Sequence, residues 1–312
     1  MVDLYKLTDL EGKEGETMED IHRIYVSRTK QNYFVTTKSI NTVQLWSIED
    51  RSHFLTIETN LDDGAERMLV LDLDIPIIVT GNYYGGVHAY NGFTGECLWK
   101  RADLTNVQKL VEMPGDHGAY FGIGFSYGTF LIIDVNTGET KESLTDIFKL
   151  SFSRFNPIAL AIPNEEADDK RPMLVSTDDW IIQWDCDEES IFVLDAAFSR
   201  DHVMISWLGG PLQCYTLEGK KKWTISNKNG HFIQVRWNDG LKMWIGLYSM
   251  TANESPDLLL VGFDNMGETK LKKLVESPGD AYLFSDGTHL VTAKGQVIET
   301  SSGRVVWTYA AE

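Results

Sequence analysis

Seven histidines, His22, His53, His88, His117, His202, His231 and His289, are the residues of this chain best suited to acid–base or metal chemistry. They are scattered, with no H-x-x-x-H or similar ligand spacing, so the sequence predicts structural or surface histidines and no metal centre. Cys97, Cys186 and Cys214 are far apart and form no C-x-x-C pair, so neither a zinc site nor a disulfide framework is signalled. Each cysteine lies beside strand-like residues, as a small buried hydrophobe would. The stretch "GIGFSYG" (122–128) comes near a dinucleotide fingerprint, but its third glycine is misplaced and no helical pattern follows. Asp116-His117 is an adjacent acid–base pair with no nucleophile or second carboxylate tied to it. The sequence therefore assigns no catalytic, cofactor-binding or metal-binding residue.

The elements that would position any site are legible as a repeat. A turn glycine is followed four residues later by tryptophan at Gly95/Trp99, Gly219/Trp223 and Gly303/Trp307. The glycines are 124 and 84 residues apart, multiples of a unit of about 41–42 residues, within the range of propeller blades. "NTGETKE" (136–142) and "NMGETKL" (265–271) keep the glycine without the tryptophan. "EDRSHF" (49–54) puts Asp50 in the turn and Phe54 at the aromatic position, and "CDEES" (186–190) is read as the seventh turn. Pairs of short runs rich in Val, Ile, Thr, Tyr and Phe precede the turns, as in "IPIIVTG…GVHAYN" and "THLVTAK…GQVIET". A further apolar strand precedes each pair, as in "ERMLVLD", "IFKLSFS" and "HFIQVRW". No stretch of helical length shows a 3.6-residue period.

Seven units of four antiparallel strands predict an all-β fold, a seven-bladed β-propeller forming one domain over residues 21–312. Residues 1–20 are then a tail or an extra strand that closes the ring. "IPNEEADDKRP" (162–172) reads as an acidic insertion in the fourth blade. Gly, Asn or Asp in the last turn of each unit tolerates the positive φ of a tight hairpin, and the following indole fills the gap between blades. Trp46 and Trp184 are placed on third strands.

At these residues the chain resembles two propeller families. The Gly-x-x-x-Trp turns resemble the tryptophan-docking repeats of quinoprotein-type propellers. "NTVQLWSIED" resembles the third-strand signature of WD repeats, with Ser47 where Asp is usual, and the Gly-His dipeptide of such repeats occurs only at Gly230-His231. No active site is carried over from either family, and no cofactor is expected.

Function is read from charge and rim. The chain carries 28 basic and 46 acidic residues, a formal net charge of −18, which repels phosphate backbones and favours a basic protein or cations. Acidic groups at Asp62-Asp63, Glu165-Glu166, Asp168-Asp169 and Asp187-Glu188-Glu189 fall in predicted loops. The acidic N-terminus has no apolar leader, and the apolar runs are too short to cross a bilayer, so a cytoplasmic location without membrane contact is expected. Loops between second and third strands share one rim. They are read as holding Tyr83, Tyr84, Tyr127, Asp178, Asp179, Trp180 and Tyr248 as a partner-binding set. The expectation is a cytoplasmic, monomeric, non-catalytic module that binds a basic protein and no nucleic acid. A toxin-neutralising immunity-type protein is one concrete version. The alternatives are a propeller enzyme, hydrolase or lyase, with a site at the channel mouth, and a scaffold subunit of a larger complex.

Overall fold

In a computed structural model of the chain, every hydrogen-bonded sheet has four strands taken in sequence order, and there are seven such sheets. The structure describes residues 24–26, 33–39, 41–59, 67–71, 73–113, 120–125, 128–164, 167, 171–186, 193–226, 230–250, 257–276, 278–284 and 286–309. Among them there is no helix. Blades 1 to 7 span residues 24–58, 67–101, 107–145, 147–185, 193–225, 230–275 and 281–308. The first strands of consecutive blades pack against one another, and that of blade 7 packs on that of blade 1, so the ring closes around the first strands. The chain is a seven-bladed β-propeller. Residues 1–20, expected to be a tail or closing strand, lie outside the described residues.

Burial follows from this arrangement. Middle strands are covered on both faces and read as unbroken apolar runs, as in Ile77–Gly81 and Ile158–Pro163, which are buried throughout. Fourth strands lie on the circumference, and in Ser52–Glu58 and Thr140–Thr145 most positions are exposed.

One hairpin geometry serves all seven blades. Pairing between third and fourth strands slips by one residue in each blade, at Leu45/Trp46, Ala89/Tyr90, Ile132/Ile133, Leu174/Val175, Cys214/Tyr215, Gly262/Phe263 and Val297/Ile298. The turn before each slip contains one residue at positive φ: Arg51, Gly95, Gly138, Trp180, Gly219, Gly267 or Gly303. A left-handed residue that closes a tight turn and opens a bulge is the physical reason for the glycines. Asn91, Asp134 and Asp264 fix three of these turns by accepting two backbone N–H bonds each, those of Phe93 and Thr94, Asn136 and Thr137, and Met266 and Glu268.

The same register identifies one equivalent position in every blade, which faces the next blade where it holds tryptophan. It is Leu55, Trp99, Glu142, Trp184, Trp223, Leu271 and Trp307 in blades 1 to 7. Two assignments change. Trp184 belongs to a fourth strand, Ile182–Asp185, and not to a third; the seventh turn is 177–181 and not "CDEES". The turn's positive-φ residue there is Trp180, so a glycine search misses it. In blade 1 the left-handed position is Arg51, one residue beyond Asp50, so Leu55 takes the seam and Phe54 points to solvent.

Each indole is seated on the following blade. Trp99 Nε1 donates to the Val135 carbonyl (2.7 Å), Trp184 Nε1 to Leu217 (2.7 Å) and Trp223 Nε1 to Asn265 (3.0 Å). A Cβ on Gly138 would lie 2.7 Å from Trp99, and one on Gly219 or Gly267 2.9 Å from Trp184 or Trp223. The turn glycine thus supplies its own backbone conformation and the floor for its neighbour's indole. At the closing seam Trp307 meets Phe34 and Trp46 of blade 1 edge-on, with centroids 5.9 and 6.2 Å apart.

Inner strands are clasped by side chains. Arg67 Nε donates to Gln108 O (2.8 Å), Lys149 Nζ to Leu194 O (3.1 Å) and Gln234 Nε2 to Ala281 O (2.9 Å). Asp195, 3% exposed, accepts the Val235 N–H (2.9 Å), pairs with Arg236, and has Lys149 at 3.8 Å. These bridges satisfy backbone groups that a strand edge otherwise leaves open.

Candidate binding surface

Antiparallel order divides the loops between two rims. Loops joining second to third strands share one rim with the links between blades. Loops joining first to second and third to fourth strands share the other. Tyr83 and Tyr84 lie on the first rim, between Ile77–Gly81 and Val87–Asn91, as expected. Their rings meet edge to face with centroids 4.8 Å apart, and Tyr84 is 69% exposed. The loop is held by the Gly85 N–H on Asn82 Oδ1 and the Asn106 N–H on Tyr83 O (2.7 Å).

The other described members of the predicted set lie elsewhere on the ring. Tyr248 lies on the second strand of blade 6, across the ring, and packs edge-on against Phe232 at 5.1 Å. Asp178, Asp179 and Trp180 sit in the 177–181 turn, between a third and a fourth strand, on the opposite rim. This corrects their grouping with Tyr83 and Tyr84. The physical reason is the left-handed Trp180, which makes a hairpin turn of residues without glycine. Trp180 is half-buried against the core between blades 3 and 4. Asp179 is exposed, and the Ser176 hydroxyl and the Ile181 N–H hold its carboxyl below the usual range. Tyr127, Asp116-His117 and the acidic groups 62–63, 165–166, 168–169 and 187–189 lie outside the described residues.

The opposite rim carries a contiguous aromatic patch that the sequence reading missed. Phe54 of blade 1 touches Tyr33 of its own blade (5.9 Å) and Phe93 of blade 2 (5.6 Å). Phe54 and Phe93 are 41% and 45% exposed. Ile75, 47% exposed, is brought alongside because the Gly92 N–H donates to Pro76 O (2.7 Å) and ties the two loops of blade 2 together. Glu49, Asp50, Asp74 and Glu96, all exposed, lie in the same turns. The signal available in sequence was an apolar residue inside an otherwise polar turn: Phe93 in "NGFTGE", Ile75 in "DLDIPI".

No group of three or more His, Cys, Asp or Glu side chains among the described residues is arranged to hold a metal ion. His88, His202, His231 and His289 are all pushed below the ordinary histidine value, chiefly by burial. Burial also raises the Cys214 thiol to about 12, which keeps it un-ionised. No helix among the described residues is long and apolar enough to cross a membrane. Compared with known proteins, the chain matches no family model and no curated sequence.

Proposed function

We propose that this propeller is a non-catalytic protein-binding module that docks a basic partner on the blade 1–2 sector of the rim carrying Phe54 and Phe93. The observation that carries the reading is the exposed Phe54–Phe93 contact across the blade boundary, with Ile75 exposed in the adjoining loop and Glu49, Asp50, Asp74 and Glu96 exposed in the same turns. Large apolar side chains left in water gain about 1.5–3 kcal/mol each on full burial. A central aromatic cluster with a charged periphery is the usual anatomy of a binding hot spot. Carboxylates at the periphery, on a chain of net charge −18, steer a cationic protein to it and repel nucleic acid. A toxin-neutralising role is one form such binding takes. The indole-on-glycine seams favour the resemblance to quinoprotein-type propellers over that to WD repeats, without lending this chain their chemistry.

The test is affinity capture from the host with immobilised chain, comparing wild type with the Phe54→Ser/Phe93→Ser variant. A basic protein retained by wild type, released by raised salt and absent from the variant at unchanged Tm supports the reading. Retention of the same protein by both refutes it.

A further inference from the structure

A second feature of this rim, independent of the aromatic patch, lies over blades 4 to 6. Phe155, in the loop between the first two strands of blade 4, has two guanidinium groups over its ring. The Arg154 and Arg200 guanidinium carbons are 4.8 and 5.3 Å from its centroid. Arg200 comes from the corresponding turn of blade 5. The blade 4 loop reaches beyond its neighbour: Phe155 packs on the cluster containing Trp237, and Arg154 Nη2 donates to Trp237 O (3.4 Å) in blade 6.

Both loops are set in advance. Ser153 Oγ accepts the N–H groups of Phe155 (3.1 Å) and Asn156 (3.2 Å). Ser199 Oγ accepts those of Asp201 (3.4 Å) and His202 (3.1 Å). Asn156 Nδ2 then donates to Arg200 O (3.0 Å) and joins the two loops.

Neither arginine forms an ion pair among the described residues. The carboxylates in range are occupied: Asp239 by Lys242 (2.9 Å) and the Trp237 indole (3.2 Å), and Asp286 by the Thr288 N–H (2.9 Å) and hydroxyl (2.7 Å). Two like charges therefore share one ring on a strongly acidic chain, with most of their N–H donors unused. Burial disfavours the protonated form of Arg154; the Asp286 and Asp239 charges offset part of that cost, and the Arg200 charge adds a smaller push in the same sense as burial. An oxyanion reached by both forks offsets the remaining burial cost and makes charge-assisted hydrogen bonds with each.

We propose that Arg154 and Arg200 form a binding site for an oxyanion, a carboxylate or a phosphate group, held jointly by the two guanidinium forks beside Phe155. The ligand class is a small molecule bearing such an anion.

The full chain is titrated with sodium phosphate and, separately, sodium citrate at pH 7.5, with ionic strength held constant by chloride. Thermal unfolding and calorimetry are the readouts. Wild type shows a saturable rise in Tm and saturable heat with at least one anion, and the preferred anion identifies the source. Arg200 is exposed and its side chain makes no hydrogen bond within the described structure, so Arg200→Gln gives up only its contact with Phe155 and the folded variant is read against its own unliganded Tm. The substitution weakens binding tenfold or more, the order of one lost charge-assisted bond. Arg200→Lys, which keeps charge but loses the fork, also weakens it. No saturable response beyond chloride, or Arg200→Gln binding as wild type does, overturns the proposal.

Discussion

Trp99 lies on Gly138 of the following blade and donates its indole N–H to Val135 O at 2.7 Å. The two residues are one device, because the glycine makes room for the ring that closes the seam. Gly138→Ala therefore has two costs, a strained φ of +71° and a Cβ 2.7 Å from the indole. The expected loss is about 2–4 kcal/mol. Gly209 has φ +63° with nothing near a Cβ, so Gly209→Ala reports the conformational cost alone, about 1 kcal/mol. In a Trp99→Ala background Gly138→Ala should fall to the Gly209→Ala value. Urea unfolding of the four-member cycle measures the coupling; simple additivity would separate the two residues.

Asp195 anchors the inner strands of blades 4, 5 and 6 through Lys149, the Val235 N–H and Arg236. Asp195→Asn removes the charge that Lys149 and Arg236 share and is expected to cost about 3–5 kcal/mol. Arg236→Met in the same chain should restore part of that loss. If Asp195→Asn unfolds at the wild-type urea midpoint, the clasp is not a source of stability.

His88 is buried, hydrogen-bonded to Tyr90 Oη (3.1 Å), and lowered by burial first and then by Lys100. A histidine held neutral in the fold takes up its proton more readily when unfolded. Its contribution is nil well above pH 6.5 and turns destabilising as pH falls through that value toward the lower folded one. The lowered carboxyls of Asp103, Asp239 and Glu299 act in a separate window, losing their stabilisation below about pH 4.5. His88→Gln should therefore flatten the fall of Tm between pH 7 and 5.5 and leave the fall below pH 4.5 in place. An unchanged slope between pH 7 and 5.5 contradicts the burial argument.

The ring was legible because its rules are local. Short apolar runs, a left-handed turn residue and an indole four residues on are all written within one hairpin. Two turns break the local rule. Trp180 and Arg51 adopt positive φ without being glycine, which hid the true turn of blade 4 and moved the seam of blade 1 from Phe54 to Leu55. Faces were harder still. Asp178, Asp179 and Trp180 changed rim through a single misassigned strand, because each strand reverses direction. The Phe54–Phe93 patch joins residues 39 apart in sequence across a blade boundary, and no periodicity reports such a contact.

Hydroxyl-radical footprinting of the captured complex, read by mass spectrometry, compares the two rims in one experiment. The account predicts protection of Phe54, Phe93 and Ile75 on complex formation, with Tyr83 and Tyr84 labelled as in the free chain. Protection of Tyr83 and Tyr84 with Phe54 and Phe93 still labelled would contradict it and place the partner on the opposite rim.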